Sequence, residues 1–122
     1  MNLLVTLDEN YIPYLNVMLF SLLQSNKNGQ FDVYVLHSDI KDTVFESTRQ
    51  ILTDRGNLIP VKVVDAGLDN APTTSRYPTE IYYRIFAAKY LPDTLDRILY
   101  LDPDIIVNRE LDTLYNTPMD EY

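Results

Sequence analysis

Cysteine and tryptophan are absent from the 122 residues, and histidine occurs once, at His37. Without cysteine there is no disulfide framework, no thiolate nucleophile and no zinc–thiolate site. Glycine is nearly as scarce: the chain has 3, and no Gly-x-Gly-x-x-Gly or other phosphate-cradling loop. Any bound phosphate must therefore be met by a cation or by basic side chains. Basic side chains are themselves in the minority, 10 Lys and Arg against 18 Asp and Glu, for a net charge of −8. That field argues against nucleic acid or an anionic membrane surface as partner. No apolar run is long enough to span a bilayer, and the opening Met1-Asn2-Leu3-Leu4-Val5-Thr6-Leu7-Asp8 lacks the basic start of a signal peptide. The expectation is a cytoplasmic chain without a transmembrane segment. Apolar residues make up 46% and charged residues 23%, a globular composition whose length suits one domain, residues 1–122.

The most informative stretch is Arg97-Ile98-Leu99-Tyr100-Leu101-Asp102-Pro103-Asp104-Ile105-Ile106-Val107. An apolar run of strand length ending in two carboxylates one residue apart reads as a buried strand emptying into a polar site at the sheet edge. In extended chain, residues i and i+2 point to the same face, so Asp102 and Asp104 can converge on a hard cation that prefers oxygen, Mg²⁺ or Mn²⁺. Pro103 biases Asp102 toward extended backbone and lacks an N–H, which suits the place where a ladder ends. Three other readings compete. Asp and Pro also build ordinary solvated turns. A calcium loop would continue its oxygen ligands at two-residue steps, and Ile106, Val107 and Thr113 do not supply them. A phosphatase with an Asp nucleophile also places Asp-x-Asp after an apolar strand, but it needs further catalytic residues downstream and few residues follow Asp104.

The remaining chain alternates strand and helix signals. Leu3 to Leu7 is a short β run, and Asp8-Glu9-Asn10 has turn and capping chemistry. From Tyr11 to about Gln24, Leu15, Met18, Leu19, Leu22 and Leu23 recur at helical spacing, with Pro13 in the first turn. Ser25 to Gly29 is expected to close that helix with glycine chemistry. Phe31 to Leu36 forms a second strand, with His37 at its end, where a structural role outweighs a ligand or base role. Ser38-Asp39 is expected to cap a helix from Asp42 to Thr53, its core face carrying Val44, Phe45, Thr48, Ile51 and Leu52. Pro60 to Val64 is a third strand, ending at Asp65. Residues 66–78 have the length of a functional loop. Thr79 then caps a helix to about Leu91 whose buried stripe is Ile81, Ile85, Ala88 and Leu91. Arg84 lies beside that stripe, either paired with Glu80 or turned toward a phosphate. A helical turn follows near Leu111 to Tyr115. Strand–helix–strand with short connections predicts a parallel α/β sheet, and such sheets bind nucleotides outside the carboxyl ends of their strands. Asp8, His37, Asp65 and Asp102 all fall there.

With these residues in hand the chain resembles glycosyltransferase family 8, the retaining enzymes that include glycogenin and bacterial lipopolysaccharide galactosyl- and glucosyltransferases. Three separated segments carry the resemblance: Val5-Thr6-Leu7-Asp8-Glu9-Asn10-Tyr11, Tyr82-Tyr83-Arg84-Ile85, and Leu99 to Val107. It implies a GT-A fold, Rossmann-like and mainly parallel with helices on both faces. It implies a UDP-sugar donor, a saccharide or lipopolysaccharide-type acceptor, and Mn²⁺ or Mg²⁺ held by Asp102 and Asp104, with Asp104 the closer bridging ligand. Asp8 and Asn10 match positions that hydrogen-bond the nucleoside, Thr6 matches one giving backbone contacts, Tyr11 one that stacks on uracil, and Arg84 one that reaches the diphosphate or donor sugar. The family's third metal ligand is a C-terminal histidine accompanied by Gly, Lys and Trp, and here no His follows His37. The resemblance thus implies the N-terminal, nucleotide-binding half of the fold, incomplete at its C-terminus. Acceptor and reaction-centre residues would lie outside it. An exposed sheet edge and self-association are expected to follow, with a non-catalytic nucleotide-sugar-binding or interaction domain as the rival to an enzyme.

Overall fold

The computed structural model describes residues 1–64 and 84–119. Its centre is a four-stranded, all-parallel sheet in the order β3-β2-β1-β4, where β1 is Asn2–Thr6, β2 is Phe31–His37, β3 is Gly56–Lys62 and β4 is Leu99–Tyr100. The two central strands are buried almost throughout, β2 at every residue but Asp32, as expected of strands covered on both faces. Alternation then sorts side chains into two cores. Leu3, Val5, Val33, Val35 and Leu58 join Leu15, Met18, Leu19, Leu22, Phe45 and Leu52 in the larger core beneath two helices. Leu4, Tyr34, Leu36 and Val63 face the other way and meet Ala87, Tyr90, Leu91 and Leu95.

Helix α1 spans Ile12–Ser25 and accepts Pro13 in its first turn, where the missing N–H has no helical partner to lose. It is led in by a 3₁₀ turn, Glu9–Tyr11, capped by Asp8, whose carboxylate accepts the Asn10 N–H at 2.9 Å. Four of its five expected core positions are fully buried, each contributing about 1.5–3 kcal/mol. Leu23 is only half-buried at the margin of the core.

The helix does not end on glycine chemistry, since Gly29 is not in left-handed backbone. Asn26 ends it instead. This buried side chain donates to the Leu22 carbonyl at 3.1 Å, beside the Asn26 backbone N–H that donates to the same carbonyl at 3.0 Å.

The second helix also departs from expectation. Residues Asp42–Phe45 form a 3₁₀ turn preceded by Lys41, with no side-chain cap, and α2 proper is Glu46–Leu52. Ser38 and Asp39 lie in a bend because His37 closes the exit of β2 itself: its Nδ1 accepts the Ile40 N–H at 3.0 Å. Strand β3 starts at Gly56, four residues before the expected Pro60. Pro60 is paired within it, opposite Val35, at the outer strand of the described sheet, where a missing N–H costs least. Strand β4 is shorter than its apolar run, two residues, and the chain turns at Pro103–Asp104.

Residues 65–83, which include Asp65, Thr79, Glu80, Ile81 and the whole of the expected functional loop, lie outside the described residues. The described end of the third helix is a 3₁₀ segment, Arg84–Lys89. Its geometry of about three residues per turn shifts the buried phase, so Ala87 is buried and Ala88, the expected core residue, is exposed. A last turn, α3, is Asp112–Tyr115. Among the described residues no helix is long and apolar enough to cross a membrane.

Candidate functional site

The strand order reverses at β1. Successive crossovers run outward from β1 to β2 to β3, and the chain then returns to pair β4 on the other side of β1. Such a switch point opens a crevice outside the carboxyl ends of the two strands that flank it, because the connections leave in opposite directions. Here those ends belong to β1 and β4.

Leu4 pairs with Tyr100, and the Leu101 N–H donates to the Leu4 carbonyl at 3.0 Å. Continued two residues further, that register sets Asp102 level with Thr6. Thr6 is buried, and its Oγ1 lies 3.4 Å from the Tyr100 hydroxyl, a hydrogen bond between the two strands just below the crevice. Leu7 and Leu101 turn inward to the larger core, so the residues after them, Asp8 and Asp102, leave their strands toward the opposite face. That is the face on which the Arg84–Lys89 segment packs through Ala87.

Past Leu101 exposure alternates: Leu101 and Pro103 are buried, Asp102 and Asp104 exposed. The turn at Pro103–Asp104 therefore leaves both carboxylates open to solvent. Among the described residues neither carboxylate takes part in an ion pair or a side-chain hydrogen bond; the ion pairs there join Arg49 to Asp42 and Glu46, and Lys62 to Asp39. Two adjacent oxygen-only donors with no cationic partner suit a hard divalent ion. No third His, Asp or Glu joins them among the described residues.

Asn10 is exposed on the 3₁₀ turn that Asp8 caps, and Tyr11 ends that turn with 38% of its surface open. The Tyr11 ring is tilted 44° against Tyr14 with centroids 5.6 Å apart. Thr6, Asp8, Asn10 and Tyr11 thus lie at or just past the carboxyl end of β1, and Asp102 and Asp104 just past the carboxyl end of its neighbour β4. The Arg84 side chain, with the Glu80 pairing weighed for it, lies outside the described residues.

His37 is separate from this group. It is buried at the end of β2, edge-on to Phe45 with centroids 5.4 Å apart. Burial pushes its imidazole below the ordinary value, the Lys62 ammonium adds to the effect, and Asp39 opposes it. A neutral ring that accepts a backbone N–H is a structural histidine.

Residues 2–122 match the model of the family described as Glycosyl transferase family 8. The chain belongs to glycosyltransferase family 8. Among curated relatives of this family 8 chain, a lipopolysaccharide 1,2-glucosyltransferase of Escherichia coli is 30% identical over 109 residues, covering 88% of the chain and 32% of the relative. Among solved structures, the galactosyltransferase LgtC in complex with donor and acceptor sugar analogues superposes with a TM-score of 0.84 at 25% identity, over 97% of this chain and 43% of that one. The glycosyltransferase GlyE of Streptococcus pneumoniae matches with a TM-score of 0.73 at 26% identity, over 98% and 28%. The sheet, its order and its two helical faces are thus those of a GT-A glycosyltransferase. The family 8 chain spans about a third of the length of the curated relatives it matches, 32% and 34% for the first two.

Sequence reasoning missed the two bonds that organise the site's floor and surroundings, Thr6 to Tyr100 and the Asn26 cap. Both are polar groups inside apolar patterns. An Asn three residues past the last stripe position, Leu23, was the available signal for the second; Tyr100 gave none, because a tyrosine in a strand is ordinary.

Proposed function

We propose that residues 1–122 are the donor-binding unit of a metal-dependent retaining glycosyltransferase that moves a hexose from a UDP-sugar to a saccharide acceptor. The observation that carries this reading is the adjacency of the β1 and β4 carboxyl ends at the switch point, with Asp102 and Asp104 exposed there and unpaired among the described residues. In it, Asp102 and Asp104 hold Mn²⁺ or Mg²⁺, Asp8 and Asn10 hydrogen-bond the nucleoside, Thr6 offers its backbone, and Tyr11 stacks on uracil. Arg84 reaches toward the diphosphate or donor sugar. When bound, the cation would supply Lewis-acid stabilisation of the departing UDP. The chain's own residues orient the donor so that its sugar faces the acceptor. Family membership favours this over the Asp-nucleophile phosphatase. The cellular setting in this proposal is the cytoplasm, at the inner face of the membrane where lipopolysaccharide-type acceptors are built.

Titration with UDP by calorimetry tests the reading. Two phosphates approaching a protein of net charge −8 need an intervening cation, so EDTA is expected to abolish most of the binding and Asp104→Ala to do the same in excess Mn²⁺. Equal affinity with and without EDTA overturns it. A product assay then separates enzyme from binding domain: binding without transfer or sugar-nucleotide hydrolysis supports the non-catalytic alternative.

A further inference from the structure

The backbone after Asp104 does not rejoin the sheet. It crosses to α1, where two serines one helical turn apart take the place of a strand neighbour. The Val107 N–H donates to Ser21 Oγ at 2.8 Å, and Ser25 Oγ donates to the Val107 carbonyl at 3.1 Å, sharing that proton with the Ser21 carbonyl at 2.8 Å. Ser21 Oγ in turn donates to the Met18 carbonyl at 2.6 Å, which fixes it as an acceptor toward Val107. A second rung lies beyond: Asn26 Nδ2 donates to the Arg109 carbonyl at 3.2 Å, and Asn26 Oδ1 accepts the Leu111 N–H at 2.8 Å. The Val107 side chain is buried in the larger core beneath these bonds.

The Asp102–Asp104 turn is therefore pinned at both ends, at Leu101 by β1 and at Val107 by α1. Both anchors belong to the one βα unit that also carries Thr6, Asp8, Asn10 and Tyr11. We infer that Ser21, supported by Ser25 and Asn26, is a positioning residue: it fixes the two carboxylates in register with the nucleoside-side residues of the same unit. The inference rests on the proposed metal role of Asp102 and Asp104. Ser21 touches neither metal nor donor and acts through the backbone of residues 104–107, within reach of at most about 3.6 Å per residue.

The test compares Ser21→Ala, Ser21→Thr and a control, Thr48→Val. The control removes a part-buried bond of 2.6 Å from Thr48 Oγ1 to Asn16 Oδ1, which ties α1 to α2 away from this clasp. Three affinities are measured: uridine and Mn²⁺–UDP by calorimetry, and Mn²⁺ alone by electron paramagnetic resonance. Ser21→Ala is expected to leave uridine binding unchanged and to weaken Mn²⁺ and Mn²⁺–UDP by about tenfold, the low end of the cost of losing a ligand-orienting partner. Ser21→Thr, which keeps the hydroxyl, restores both, and Thr48→Val changes neither. If Ser21→Ala fails to fold, Ser25→Ala carries the same expectation with a smaller fold-change. Equal loss of uridine and Mn²⁺–UDP binding, no loss of either, or no rescue by threonine overturns the inference. A wild-type chain that binds Mn²⁺ but not UDP overturns the functional reading alone, and the Mn²⁺ titration still decides the clasp. A wild type that binds no Mn²⁺ overturns both.

Discussion

Tyr11 joins two environments, because its ring leans on Tyr14 while more than a third of its surface stays open beside Asp8 and Asn10. In the proposed role it stacks on uracil, and Tyr11→Ala is expected to weaken uridine and UDP alike, by about 1–3 kcal/mol. Calorimetry with both ligands checks this; unchanged affinity for both would leave Tyr11 as an apolar cap on α1. His37 gives a different kind of prediction. Its folded imidazole titrates below the ordinary value of about 6.5, mainly through burial, then through Lys62, against Asp39. The unfolded chain therefore takes up the proton first as pH falls, so the stabilisation is complete above about 6.5 and is lost as pH drops through that value. Protonation at Nδ1 would also break its bond to the Ile40 N–H. The melting temperature is expected to fall between about pH 7.5 and 5.5, and His37→Asn to flatten the slope. Residue by residue, the exposure of Asp102 and Asp104 was legible because two carboxylates interrupt an apolar run. Asn26 was signalled only by its place past the stripe of α1, which does not say whether Ser25 or Asn26 is the polar residue that the helix end will bury.

The elements were readable where one period dominates. Helix α1 follows a stripe from Leu15 to Leu22 and lies within one residue of its expected bounds, whereas β3 does not, because Gly56, Asn57 and Pro60 all carry turn chemistry. What overrides that chemistry is pairing: Gly56 lies opposite Phe31 at the first rung of the β2–β3 ladder, so close that a Cβ there would sit 1.9 Å from the Phe31 carbonyl oxygen. The obstacle is backbone, which cannot swing aside like a side chain. Gly56→Ala is expected to destabilise the fold by about 1–3 kcal/mol or more through displacement of β3, read as a lower urea midpoint with an unchanged slope. A midpoint equal to wild type would show that the strand end yields freely. Ala88 fell out of its expected phase, while Leu91 packs against the second core as expected. A 3₁₀ segment turns its apolar positions at a different rate from an α-helix, and the composition of residues 84–89 does not distinguish the two.

At the scale of the molecule, the parallel sheet followed from the alternation of strand and helix signals, but the strand order did not. No local signal says that β4 returns to β1, and that return creates the site. Ile105 to Val107 runs over α1 and not along β4, so among the described residues no strand covers the outer side of β4. Tyr14, Val17 and Phe20 on α1, together with Ile106, are also more than half exposed. Unpaired edges and apolar patches recruit partners, so this chain is expected to self-associate at micromolar concentrations. Sedimentation showing a sharp monomer at about tens of micromolar, with two-state melting, would contradict it. The same strand order sets a timetable for synthesis. Tyr100 leaves the ribosome 96 residues after Leu4, its partner in the ladder, a delay of roughly ten seconds at ordinary translation rates. In that interval β1, β2 and α1 can assemble with Thr6, Asp8, Asn10 and Tyr11 already in place, leaving one flank of β1 open. Asp102 and Asp104 follow Tyr100 directly, so they reach a βα unit that has had those seconds to form.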